Sequence, residues 1–288
     1  MGMKPWKFRL SRFQSFSWWV RFLGLLMGVA ITVLFHFSSG KLVSLAFPPL
    51  ADSIALPDPH PHRLPPSLAQ WQDQQQSGDY FDQIQPVSVG YLVWSNFPIA
   101  IYVDPLRPDE SRTSFAGQQA QTWRDAMLAA IQEWSPYLPL KLVAQAAQAD
   151  IVILRAAPPL QLERSATPPS PVTATSSPPL TGLRLARARS AETRFELYAQ
   201  PSATQEQRPT LAHRVTIRLR PDQAVVYLKA SARHELGHAL GLWGHSLLPT
   251  DALYAAQVAN PTGLSHRDIN TLKRIYQQPT RLGWPVPK

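Results

Sequence analysis

Three histidines and one glutamate carry the chemistry that can be read from this chain. They lie in the run His234-Glu235-Leu236-Gly237-His238-Ala239-Leu240-Gly241-Leu242-Trp243-Gly244-His245. On a helix, His234 and His238 are four residues apart, so both imidazoles leave the same face. Two neutral imidazoles on one face make half of a tetrahedral zinc site. Glu235 is the next residue, turned about 100° around the helix axis. It can sit beside the metal and take a proton from a metal-activated water without being a ligand. Gly241 can adopt a positive φ and end the helix. The chain then turns and offers His245 as a third ligand, with the fourth position open, as in catalytic rather than structural zinc sites. The bland alternative is an amphipathic helix with two exposed histidines. The glycine stop, the third histidine behind it and the helix-compatible run at 224–233 weigh against that, as does the placing of four of the eight His between 234 and 266.

These residues need a scaffold, and 288 residues suffice for one large domain or two small ones. The chain has no Cys, which excludes disulfides, thiolate metal sites and a cysteine nucleophile. The net charge is +9, but Lys4, Lys7, Arg9, Arg12, Arg21 and Lys41 lie in residues 1–41, where there is no Asp or Glu. The other 22 basic residues face 19 acids, so the excess is mostly an orientation signal for a membrane and not a nucleic-acid footprint. Residues 1–17 read as a basic cytoplasmic stretch, and the apolar run 18–37 is long enough to span a bilayer as a signal-anchor. Small residues before Ala46 would also suit a cleaved signal peptide. Either reading puts the rest of the chain outside the cytoplasm, periplasmic or extracellular, anchored or secreted. The Pro-rich stretch 38–90 reads as a linker, with a short polar helix within 67–76 and solvated histidines at His60 and His62.

The folded domain is expected over 91–278. Strands are predicted at Tyr91–Trp94, Ile99–Val103, Leu140–Val143, Ala149–Leu154 and His213–Arg220, and a hairpin over Leu183–Arg189 and Arg194–Tyr198. A long helix is predicted over Phe115–Trp134, where Trp123, Ala126, Met127, Ala130, Ile131 and Trp134 form one apolar stripe. The zinc helix follows the last strand, and Ser265 with Asp268 caps a final helix to Gln277. Residues 157–180 hold seven Pro among Ser and Thr and read as an unstructured insertion; 279–288 read as a tail. The fold class is α+β.

The zinc stretch and the order of elements around it resemble the metzincin clan of zinc peptidases, and within it the matrixin-like catalytic domain. The resemblance covers about 91–278, apart from the insertion. Ala149-Asp150-Ile151 is similar to one of the family's strands, and Leu264-Ser265-His266-Arg267-Asp268-Ile269-Asn270 to the start of its last helix. Thr250-Asp251-Ala252-Leu253-Tyr254 stands where the family has a tight methionine turn beneath the histidines. Two positions depart: His245 comes one residue late after Gly241, and Leu253 replaces the methionine. The resemblance implies a mixed five-stranded sheet with a long packing helix, a zinc helix and a C-terminal helix. It implies Zn2+ as cofactor, held by His234, His238 and His245, and Glu235 as general base in peptide-bond hydrolysis. Tyr254 is expected to touch a peptide or protein substrate held as an added strand on a sheet edge within 183–220, and 257–263 to line a side-chain pocket. The alternative is an inactive zinc-binding module of the same fold that grips a peptide or envelope partner.

Overall fold

The computed structural model describes residues 55–111, 113–159, 162–164, 183–185, 189–201 and 208–287. The expected membrane segment at 18–37 and most of the Pro-rich insertion lie outside the described residues. Among the described residues no helix is long and apolar enough to cross a membrane.

The elements are α1 (Pro66–Gln70), β1 (Ile99–Val103), α2 (Phe115–Trp134), β2 (Leu140–Leu142), β3 (Ile151–Leu154), β4 (Leu162–Arg164), β5 (Leu183–Leu185), β6 (Ala191–Gln200), β7 (Thr210–Leu219), α3 (Val225–Ala239) and α4 (His266–Tyr276). Five strands form one mixed sheet in the order β2-β1-β3-β7-β6. The first four run parallel and β6 runs antiparallel to β7 along its whole length. β6 is therefore an edge strand, and it closes the sheet on the side where α3 packs.

The apolar stripe of α2 is the centre of the core. Trp123 and Trp134 are fully buried, and their indole N–H groups donate to the carbonyls of Leu219 (3.1 Å) and Arg233 (3.1 Å). A buried indole needs such a partner, and here the two bonds tie α2 to the end of β7 and to the helix that carries the histidines. The Ser114 hydroxyl caps α2 by accepting from the Gly117 N–H at 3.0 Å. β7 alternates as the sequence predicts, with Leu211, Val215, Ile217 and Leu219 inward.

Several expectations are corrected. Residues 91–94 are not a strand; Leu92, Val93 and Trp94 are buried in an irregular crossing, and the Trp94 indole donates to Ala239 O at 2.9 Å. The expected hairpin does not form: 191–200 is one continuous strand paired with β7, and 183–185 pairs with 162–164. The alternation gave the strand character of 183–185 and 194–198 but not their partners. Residues 55–90 are not a free linker. Leu68, Tyr80 and Ile84 enter the main core, and Val89 joins Leu282 and Val286 in a second cluster. Residues 279–287 are correspondingly not a loose tail. His60 and Thr280 exchange backbone hydrogen bonds of 3.0 Å each way, so the two terminal segments are paired. His62 is not solvated either: it stacks on Trp284 with ring centroids 4.5 Å apart.

His213 faces inward on β7, stacked on Trp94 with ring centroids 3.9 Å apart, and its Nε2 has no hydrogen-bond partner. Burial lowers its pKa from 6.5 to about 3. The folded protein thus refuses a proton that the unfolded chain accepts. Above pH 6.5 both forms are neutral and the group has no effect; as pH falls from 6.5 towards 3 its contribution is a loss of stability. His213→Phe keeps a ring against Trp94 and removes the titration. In urea unfolding between pH 7 and 4, the variant is expected to lose less stability than wild type, by about 1.4 kcal/mol per pH unit inside that window. Parallel pH profiles for the two proteins would refute the assignment.

Candidate metal centre

α3 delivers the motif. It runs to Ala239, and Gly241, at φ +123°, turns the chain away. A side chain there would be strained in that region and its Cβ would lie 2.8 Å from the Leu92 carbonyl oxygen. The chain returns beneath the helix, and one ring nitrogen from each of His234, His238 and His245 falls within 4.8 Å of the others.

The hydrogen bonds behind the rings decide which nitrogens face one another. His234 Nδ1 donates to the Ala252 carbonyl at 2.9 Å, and His238 Nδ1 to the Leu242 carbonyl at 2.7 Å. A carbonyl only accepts, so both Nδ1 atoms carry the proton and both Nε2 atoms present lone pairs. Those two Nε2 atoms are 3.1 Å apart. Two nitrogens bound tetrahedrally to one zinc at about 2.05 Å would be about 3.3 Å apart. The donor set therefore fits the metal. Burial lowers the pKa of His234 to about 4 and of His238 to about 3, and lowers that of the more exposed His245 as well. All three are neutral at pH 7, the form that ligates.

The late third histidine is accommodated by tight turns. Trp243 N–H donates to Gly241 O at 2.8 Å and Gly244 N–H to Leu242 O at 3.0 Å, two successive three-residue turns that take up the extra residue. Gly244 is required by proximity rather than by its own φ. A Cβ there would lie 2.2 Å from the Gln83 carbonyl oxygen. Ile84 bridges Gly244, and Gln85 N–H donates to Trp243 O at 3.2 Å. The segment expected as a linker thus braces the ligand loop.

Leu253 is fully buried under the motif. A Cβ on Gly237 would come within 2.7 Å of Leu253 Cδ2 and 3.1 Å of Trp134 Cζ2, which is why the helix needs glycine between Glu235 and His238. The turn carrying Leu253 is itself pinned. Ser246 N–H donates to Leu253 O at 2.9 Å, the Ser246 hydroxyl to Asp251, and Ala252 N–H to Asp268 Oδ2 at 3.0 Å.

Glu235 lines a cavity of about 160 Å³ together with His234, Tyr227, Tyr254, Gln257, Val258, Pro261 and Thr262. Burial pushes its pKa up to about 7, against the pull of a hydrogen bond from the Thr193 hydroxyl on β6, 2.5 Å from Oε2. Tyr254 and part of the 257–263 stretch lie on the cavity wall. The backbone carbonyls of Ala252 and Leu242, the Gln83–Gln85 brace and Thr193 were not foreseen. Carbonyl acceptors leave no mark in a sequence, and Thr193 is one polar residue among several in an alternating strand.

The matrixin family model matches residues 111–277, more than half of the chain's 288 residues. The chain belongs to the matrixin family. No curated protein sequence matches it. Matrixins are zinc metallopeptidases, and the α+β fold with its five-stranded mixed sheet is that of the family. The match begins after β1, so the bracing segment at 80–85 lies outside it.

Two substitutions test the centre in the full-length chain. His245→Ala is expected to weaken zinc retention sharply against a chromophoric chelator. Gly244→Ala, which keeps all three ligands, is expected to weaken it by about tenfold or more, because outer supports of a ligand matter on that scale. Wild-type retention in Gly244→Ala would mean that the brace does not position His245.

Proposed function

We propose that the protein is a zinc endopeptidase acting outside the cytoplasm. The observation that carries this is the pair of imidazole Nε2 atoms 3.1 Å apart, with Glu235 lining the same cavity as one of the two rings, His234. His234, His238 and His245 would hold the ion. Zinc, when bound, supplies Lewis acidity, lowering the pKa of water and polarising a carbonyl.

The chain's own groups do the rest. Glu235 takes a proton from the attacking water and delivers it to the departing amine, and a carboxyl held near pH 7 by burial is suited to both halves of that exchange. An extended peptide is held by addition to β6, the edge strand next to α3. One substrate side chain enters the cavity of about 160 Å³ walled by Tyr254 and Val258. The extracytoplasmic location is supported by the basic residues of 1–41 around the apolar run 18–37.

Glu235→Gln separates chemistry from binding. The full-length, zinc-loaded variant is expected to keep one zinc per chain and to lose cleavage of an unfolded protein such as casein by at least a hundredfold, the scale of general acid–base catalysis. Retained turnover in that variant would remove Glu235 from the mechanism. Absence of turnover in the zinc-loaded wild type would remove the peptidase reading itself.

A further inference from the structure

Thr193 is the side chain outside the motif that reaches the proposed base. It lies on β6, opposite Ile217 of β7, and shares with it the face that packs towards α3. Its Oγ1 is 2.5 Å from Glu235 Oε2 and 3.2 Å from the Glu235 backbone carbonyl. A hydroxyl has one proton to give, and the shorter, charge-assisted bond to the carboxylate takes it. One carboxylate oxygen is thus pinned to the sheet, and Glu235 lines the cavity beside His234.

Packing alone does not explain a threonine here. Valine has the same branching, equal suitability for a strand and nearly the same volume. What threonine adds is the hydroxyl, and the hydroxyl is spent on Glu235. A glutamate with three rotatable bonds otherwise loses rotamer freedom on being held in one pose, so a fixed donor that selects that pose matters for a proton transfer whose geometry must be right.

We propose that Thr193 is a positioning residue for Glu235, holding Oε2 so that the other carboxylate oxygen meets the proton in transfer. This rests on the peptidase reading above. The same edge strand would then hold the substrate and the base in one register, so a peptide docked on β6 is placed relative to Glu235 by a single hydrogen bond.

The test uses the full-length, zinc-loaded chain and a quenched fluorescent peptide. Thr193→Val is expected to lower kcat by at least tenfold with KM changed less than twofold and zinc content unchanged. Thr193→Ser, which restores the hydroxyl, is expected to return kcat to within about threefold of wild type. Thr193→Ala serves as the second hydroxyl deletion, should the valine variant melt at a lower temperature than wild type. A kcat within twofold of wild type in the folded hydroxyl-deleted variant would overturn the proposal. So would a change confined to KM, which would assign Thr193 to substrate binding only, or an equal loss in the serine variant, which would assign it to packing. An inactive wild type would instead overturn the peptidase reading and this inference with it.

Discussion

Two imidazole lone pairs held 3.1 Å apart repel each other unless a cation lies between them. Much of the structure around α3 exists to hold them there. Four-residue spacing puts both rings on one face, but spacing does not fix which nitrogen faces inward. The Ala252 and Leu242 carbonyls do that, each taking the Nδ1 proton. The Ala252 carbonyl is fixed in turn, because the amide of the same residue donates to Asp268. Asp268 is the N3 partner of Ser265 in the capping box of α4, and its other oxygen accepts from the Tyr80 hydroxyl at 2.7 Å. A chain of hydrogen bonds therefore runs from Tyr80 through the last helix and the turn to the His234 ring. In a buried setting each link to a charged group is worth roughly 1.5–3 kcal/mol, and losing one partner costs more than the link contributed.

The second histidine of the cluster, by contrast, is held locally. His238 bonds a carbonyl only four residues on, and Leu242 N–H donates back to Gly237 O at 3.0 Å. The difference has a consequence for the domain boundary. His238 depends on α3 and its own exit turn; His234 and His245 depend on Tyr80, on Gln83 to Gln85 and on α4. The family match begins at residue 111, yet the residues that support the site begin near 80. The working unit is larger than the matched region.

What could be read from the sequence is what local periodicity encodes. The stripe of α2, the alternation of β7, the capping box at Ser265 and Asp268 and the histidine spacing all concern residues within one or two turns or strands of each other. What escaped depends on distant partners. Pro57, Pro59 and Pro61 favour extended backbone but do not say whether water or Thr280 takes the backbone hydrogen bonds of His60. Leu68, Tyr80 and Ile84 are too widely spaced to form a periodic face, so their burial is invisible without the core they enter. Likewise the alternation in 194–198 is right for a strand while saying nothing of register, which is set by β7.

The two departures from the family pattern were accommodated in different ways. Leu253 keeps the volume of the methionine it replaces, and the surroundings show a contact governed by shape: fully buried, close under Gly237, with no polar atom involved. Such a swap needs no compensation elsewhere. The extra residue before His245 is a change of path length, and path length cannot be absorbed by packing alone. It is taken up by two tight turns whose backbone is then clamped by Gln83 and Gln85. The clamp admits no side chain at Gly244, so the lengthened loop and the segment at 83–85 constrain each other. An insertion in the ligand loop is tolerable in this chain because a second stretch of backbone fixes where the inserted residue goes.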